Sequence, residues 1–266
     1  MANYYISDLH IAHANIIQFD KRPFEDLNEM HKTIVDNWNA TVKTTDTVFI
    51  LGDFCWAKES EWPFYLAPLA GQKVLIRGNH DPKQFSTTVR KLFQDIKDYK
   101  EITDSGKHVI LSHYPIPFHK ADYNPDCWML YGHVHTTREQ RFMDQLRREI
   151  KSSCKDRGDC VGNWINVGCM MPWMDYTPRT LDELIESDRK LFQSHEMAGS
   201  MTIDEKIAQA QEQIIKTKAK YDEAIAALED LLAKKRAMQN EELLRLFANS
   251  NRTYDEVVAF LKEGMT

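Results

Sequence analysis

Six short apolar or β-branched runs punctuate the chain, at Tyr4–Ile6, Thr47–Leu51, Lys73–Ile76, Val109–Leu111, Trp128–Tyr131 and Trp164–Val167. Each is too brief for an independent helix, and the β-branched and aromatic residues in them suit a pleated strand. Between several of them lie stretches of helical period. In Leu27–Val42, for example, Met30, Ile34, Val35 and Trp38 fall on one face. Short buried strands alternating with amphipathic helices restrict the fold to a layered α/β architecture.

The first five runs each end in a polar and specific motif. After the first comes Asp8-Leu-His10, after the second Gly52-Asp53, and after the third Arg77-Gly-Asn79-His80-Asp81. The fourth ends in Ser112-His113-Tyr114-Pro115 and the fifth in Gly132-His133-Val134-His135. Singly, each motif has a plainer reading: an Asp-x-His is commonly a cap or surface turn, and Gly-Asp a simple turn. Together they put His, Asp or Asn at five consecutive strand ends, where open α/β sheets bind ligands. Glycines beside Asp53, Asn79 and His133 fit tight turns behind a ligand. Carboxylates, imidazoles and an amide oxygen gathered in this way are a donor set for Mn²⁺, Fe or Zn²⁺.

These five motifs resemble the set that defines the calcineurin-like metallophosphoesterase superfamily, over roughly residues 1 to 190. Ile6–Ile17 (ISDLHIAHANII) and Asn166–Leu184 (NVGCMMPWMDYTPRTLDEL) are further similar to small single-domain members from bacteria and phages. The resemblance implies a layered β-sandwich flanked by helices, with the site at the sheet edge. It assigns Asp8, His10 and His135 to one metal and Asn79, His113 and His133 to a second, with Asp53 bridging. The implied cofactors are two divalent ions, Mn²⁺ foremost, with Fe, Zn, Ni and Mg as alternatives. Two such ions about 3.5–4 Å apart share a hydroxide nucleophile and clamp the phosphoryl oxygens. His80, next to the ligand Asn79, is the expected general acid, with Asp81 orienting its ring and keeping a proton available. His13 and Asn15 are candidate substrate contacts at a helix N-terminus, with capping as the alternative. Arg22 and Arg77 are candidate phosphate clamps, Arg77 equally a partner for a buried carboxylate. Trp56, Tyr114 and Tyr123 are candidate stacking residues.

The expected reaction is therefore hydrolysis of a P–O ester bond, a phosphodiester in preference to a monoester. The substrate would be a phosphorylated small molecule or a nucleotide or nucleic-acid phosphodiester. The alternative is a metal-binding scaffold whose coiled coil mediates interactions. The net charge of −6 argues against a generic nucleic-acid surface, but bound metals would supply positive charge where a phosphate needs it. No apolar run approaches the roughly 20 residues that cross a bilayer. The opening MANYYISD lacks a basic segment followed by an apolar one. Five cysteines, an odd number, suit reduced thiols in a cytoplasm. Cys154, Cys160 and Cys169 lack the close spacing of a zinc site and read as free thiols. The charged stretch Thr137–Gly162 is expected to contain a helix from about Glu139 to Lys151, either as part of the substrate rim or as a solvated insertion.

Composition divides the chain near residue 200. Every histidine, proline and tryptophan lies at or before His195, and an Ala-, Leu- and Glu-rich text succeeds it. The expected organisation is a catalytic domain over 1–196, a linker over 197–202 and a helical extension over 203–266. With Ile207 at heptad position a, the seam reads Ile207, Ala210, Ile214, Thr217, Tyr221, Ala224, Leu228, Leu231, Lys235 and Met238. Thr253-x-x-Glu256 reads as a capping box opening a short last helix. Such a stripe needs a partner. The candidates are a second copy giving a homodimer, a hairpin with Glu241–Leu261, and a groove on the catalytic domain, and the first is preferred.

Overall fold

The computed structural model describes residues 1–153, 162–200, 203–250 and 252–263. By internal contacts the chain divides into two compact units, Met1–Gln193 and Ser194–Thr266.

The first unit is built on two sheets. In the first sheet, β1 (Asn3–Ile6), β2 (Thr47–Ile50), β3 (Gln72–Ile76) and β4 (Asp95–Lys97) run parallel in the order β4-β3-β2-β1. In the second, β5 (Tyr99–Asp104) pairs antiparallel with β6 (Lys107–Ser112), which continues in parallel to β7 (Cys127–Tyr131) and β8 (Trp164–Asn166). The short β9 (Arg179–Thr180) closes the free edge of β1 antiparallel. The six strands expected from apolar runs are all present. The three additional strands were hidden for a physical reason. β4 and β9 are only three and two residues long, and β5 is a polar edge strand, YKEITD, whose residues alternate between exposed and half-buried.

The strands carry apolar residues on both faces because both faces are covered. Tyr5, Ile6, Val48, Ile50, Val109, Leu111, Trp128 and Leu130 join one large core. The alternate residues Ile110, Cys127, Met129 and Tyr131 form a second cluster with Met143 and Trp164.

The short α1 (Ile16–Phe19) precedes α2 (Leu27–Thr41), which buries Met30, Ile34 and Trp38 in the large core, as its 3.6-residue period required. Its start is fixed by Asp26, whose carboxylate accepts the Glu29 amide, while Glu29 reaches back to the Glu25 amide. Each large side chain so buried contributes about 1.5–3 kcal/mol. Two one-turn helices, α3 (Trp62–Leu66) and α4 (Thr87–Arg90), add Trp62, Leu66 and Val89 to the core.

Helix α5 (Arg138–Ser153) occupies the charged stretch after the last motif, and it is not a solvated insertion. Gln140, Met143 and Arg147 recur at helical spacing and are buried. Gln140 Oε1 accepts from the Tyr131 hydroxyl at 3.1 Å, and Arg147 Nη2 donates to Asp188 at 2.8 Å. Asp188 lies on α6 (Leu181–Ser200), so the helix residues 197–200 stand where a linker was expected. The remaining linker residues 201 and 202, and Cys154 and Cys160, lie outside the described residues.

The second unit contains α7 (Ile203–Ala248), 46 residues or about 69 Å at 1.5 Å per residue. It runs unbroken through Glu241, so the alternative of a hairpin with Glu241–Leu261 does not form, since residues up to Ala248 continue the same helix. Among the described residues α8 (Tyr254–Glu263) is the one element after it, opened by the expected capping box, in which Glu256 accepts from the Thr253 amide and hydroxyl. Ile207, Ile214, Tyr221, Leu228, Leu231 and Met238 on the α7 seam are exposed. No helix among the described residues is long and apolar enough to cross a membrane.

Candidate metal centre

The carboxyl ends of β1 and β8 are laced together beyond the last paired residues. Ser7 donates its amide to Val167 O at 2.8 Å and its carbonyl accepts from the Cys169 amide at 2.9 Å. This joins the edges of the two sheets where the polar motifs converge. Here the backbone leaves ordinary conformations. Asp8, His10, Asp53, His133 and His135 all have positive φ, between 45° and 68°. A non-glycine residue in this region is uncommon and strained, and such residues gather at functional sites. The strain turns neighbouring side chains of each loop toward one point.

The glycines serve this convergence in two different ways. Gly52 supplies φ of 89° before Asp53, as a tight turn demands. Gly78 and Gly132 are needed for closeness instead. A Cβ on Gly78 would collide with Asp53 Oδ1, and one on Gly132 with Asp8 Oδ2.

Two clusters of ligand atoms result. Asp8, His10 and His135 form one, and Asp8, Asp53 and His113 the other, each within 4.8 Å of one another. In the first, His135 Nδ1 lies 2.7 Å from Asp20 Oδ1 and donates to it. The nitrogen left facing the cluster is Nε2, 3.5 Å from Asp8 Oδ1 and 3.3 Å from His10 Nε2. In the second, the His113 Nδ1–H donates to Leu51 O at 2.8 Å. Nε2 then lies 3.0 Å from Asn79 Oδ1 and 3.5 Å from Asp53 Oδ2. Asp53 Oδ2 is also 3.8 Å from His10 Nε2, so this oxygen stands between the two clusters. The His133 ring centroid is 5.1 Å from that of His113, and the His133 amide donates to the Asp8 carboxylate.

The electrostatics call for positive charge. Burial would raise the Asp8 carboxyl, but the His135 hydrogen bond and the charges of His135 and His113 hold it well below the carboxylate range. Asp53, also buried, is pushed the other way by desolvation and by Asp8. Burial lowers His10 to about 3 and also lowers His133, which keeps both imidazoles neutral. Burial opposes a proton on His135 too, but the Asp20 and Asp8 carboxylates raise it to about 10. Apart from the proton on His135, the groups that converge here are carboxylate, imidazole and amide-oxygen acceptors, which a cation would hold together. The donor set of carboxylate, imidazole and amide oxygen fits a divalent transition ion.

The other candidates separate clearly. His80 projects at the site, its Nε2 4.0 Å from Asp53 Oδ2 and its amide donating to Asp53 Oδ1 at 2.9 Å. Asp81, expected to orient the His80 ring, instead accepts the amides of Asp53, Phe54 and Gly78 with its buried carboxylate. It fastens the loop after β2 to the loop after β3, and burial raises its carboxyl to about 6. Arg22 is not a phosphate clamp. Its guanidinium is buried and donates to Asp8 O, Leu9 O and the Asp20 carboxylate. Arg77 pairs with Asp98 through two 2.7 Å contacts and donates to Lys83 O, and Asp98 is exposed rather than buried. Asn15 caps α1 without a side-chain hydrogen bond, and that helix of four residues is too short to build a dipole for a phosphate. His13 stacks on Trp56 with centroids 4.2 Å apart, and Trp56 lies 4.6 Å from His80. Tyr114 lies 4.6 Å from His133, whereas Tyr123 is an exposed loop residue.

Sequence reasoning missed Asp20, the acceptor for His135. It also missed Asn166, whose amide donates to His135 O at 3.2 Å and to Gln140 at 2.8 Å. Asp20 sits in no motif and Asn166 only opens the stretch Asn166–Leu184, and each acts on a residue far away in the chain.

The pattern of the calcineurin-like phosphoesterases matches residues 4–149, which include all seven proposed ligands. An uncharacterized protein of Methanocaldococcus jannaschii is 34% identical over 154 residues, covering 56% of this chain and 80% of that protein. The gene 66 protein of Mycobacterium phage L5 is 28% identical over 160 residues, covering 50% and 77%. Among solved structures, a protein of unknown function from Aquifex aeolicus aligns with a TM-score of 0.50 and 30% identity, over 70% of this chain and 98% of that one. This chain belongs to the calcineurin-like phosphoesterase family and is a metal-dependent phosphoric ester hydrolase.

Proposed function

We propose that this enzyme hydrolyses phosphodiesters at a dinuclear centre, with Asp8, His10 and His135 holding one ion, Asn79, His113 and His133 the other, and Asp53 both. The observation that carries this reading is the position of Asp53 Oδ2, 3.8 Å from His10 Nε2 and 3.5 Å from His113 Nε2. Two divalent cations held there, Mn²⁺ foremost, would supply positive charge for the phosphoryl oxygens and would lower the pKa of the attacking water. The protein's part is to fix the donors. Strained loops aim them, and Asp81 ties two of those loops together. His80 gives a proton to the departing oxygen. Its ring is 43% exposed, so it can meet a substrate at the mouth of the site.

A diester fits better than a monoester because both candidate guanidiniums are engaged by carboxylates, Arg22 by Asp20 and Arg77 by Asp98. Neither is free to take the second negative charge of a monoester. The test is a chelator-stripped protein assayed on bis-aryl and mono-aryl phosphates, with Mn²⁺ restored. Diester hydrolysis should disappear and return. Full activity without metal defeats the centre, and faster monoester turnover defeats the substrate preference.

The exposed α7 seam supports a homodimer through the helical unit. The free thiols of Cys55, Cys127 and Cys169 are in keeping with a reducing cytoplasm.

A further inference from the structure

The two ligand clusters are oriented by different chemistry. His113 is held by a neutral acceptor, the Leu51 carbonyl, at 2.8 Å. His135 is held by a carboxylate, Asp20, at 2.7 Å. That carboxylate is itself fixed. Arg22 donates to Asp20 Oδ2 through Nε at 3.1 Å and through Nη2 at 2.9 Å, and the two side chains are 0% and 6% exposed. The same guanidinium holds Asp8 O at 2.8 Å and Leu9 O at 2.9 Å, within the loop that presents Asp8 and His10. One buried pair therefore touches the backbone behind Asp8 and His10 and the ring of His135.

We propose that Asp20, clamped by Arg22, is a positioning residue that makes the Asp8–His10–His135 cation position the tighter of the two. This inference rests on the ligand reading above. A carboxylate behind an imidazole fixes its tautomer and rotation and increases the basicity of the facing nitrogen. Removing such a partner commonly costs about 10–100-fold in metal affinity. A carbonyl behind His113 fixes the ring equally well but adds no charge. In the ligand reading above, the first position also has the carboxylate of Asp8, whereas the second adds only Asn79 and His133 to His113 and the shared Asp53. The ions should therefore fill in order, and graded chelation should empty the Asn79–His113–His133 position first.

The experiment is calorimetric titration of the metal-free full chain with Mn²⁺, with metal content measured after graded chelation. Wild type should bind two ions in two unequal classes. Asp20→Ala should weaken the tighter class by about 10–100-fold and leave the weaker one in place. Asn79→Ala should do the reverse, which identifies the classes. Asp20→Asn keeps the shape and an acceptor for His135 while losing the charge, so it should fall between wild type and alanine, and it serves if the alanine variant does not fold. Asp20→Glu, which restores the charge, should recover part of the loss, as a merely structural role would not predict. Two equal classes in wild type, or a loss spread over both in the Asp20 variants, would overturn the positioning role while leaving the ligands intact. A wild-type chain that binds no divalent ion would overturn the ligand reading as well.

Discussion

In the Met1–Gln193 unit the unusual residues are buried and strained, while in the Ser194–Thr266 unit they are exposed and relaxed. Asp8, Asp53 and His113 are almost wholly buried, and the loops of Asp8 and Asp53 hold left-handed backbone that only surrounding structure can maintain. On α7, Leu228, Leu231 and Met238 lie on a regular helix and face solvent. Strain accompanied by burial identifies chemistry, because folding must offset its cost for the sake of the site. Apolar exposure on regular backbone identifies association, because only a partner can relieve it. The comparison is broken if a change in one unit produces the effect assigned to the other.

The largest effect is expected at Asp53, whose carboxylate stands between His10 of one cluster and His113 of the other. Asp53→Asn keeps shape and volume but removes the charge between His10 and His113. Hydrolysis should fall to background and bound metal should drop, with the mass of the particle unchanged by light scattering. Retention of both metals and of activity would remove Asp53 from the centre.

His80→Ala should cost about 10²–10⁴-fold in kcat on esters with poor leaving groups and far less on activated aryl esters, since good leaving groups need little protonation. Metal content should remain that of wild type. Equal losses on both kinds of ester would mean that His80 does not donate the proton, and a loss of metal would make it structural.

Asp81→Ala sharpens the same contrast through stability. Three amides, the buried ones of Asp53 and Phe54 and the half-buried one of Gly78, would lose their acceptor. The expected destabilisation is roughly 3 kcal/mol, discounted for water that enters the gap. Denaturant unfolding of the metal-free protein should register it. An unchanged midpoint would mean that these loops are fastened elsewhere.

The legibility of each feature depended on where its signal sits in the chain. Asp8-Leu-His10 and Gly132-His133-Val134-His135 could be read because strand end and ligands are neighbours in sequence. Asp20 could not, because its partner His135 is 115 residues away and its own surroundings resemble any helix end. Arg22 was visible as a cation but not as an engaged one, since its partners Asp8 O and Leu9 O are backbone atoms that no residue type announces. Gly78 and Gly132 were rightly placed beside ligands for an incomplete reason: their need is for space beside a carboxylate rather than for a turn. Polar β5 escaped because only Ile102 gives it an apolar member packed on the core. For α7 the heptad gave the helix and its stripe, but the unbroken course through Glu241 depended on the absence of any breaker before Ser250.

The smallest effect on catalysis and the largest on assembly are expected from the tail. The α7 seam has Ile207, Ile214, Tyr221, Leu228, Leu231 and Met238 exposed over a helix of about 69 Å. Because α7 does not fold back and α8 has only ten residues, the chain's own continuation can cover little of that stripe. A second copy supplies a matching stripe along the whole length, although Thr217 and Lys235 interrupt the regular seam. Light scattering of the full chain should therefore find two chains per particle, and removal of residues 201–266 should give a monomer with unchanged kcat. Leu228→Asp in the full chain tests the same seam with one charge and should weaken the dimer without touching metal content. If the truncated protein loses activity while remaining folded, the tail contributes to the site and the division of labour between the units fails. If the full chain is monomeric at micromolar concentration, the stripe serves a different partner and the homodimer is wrong.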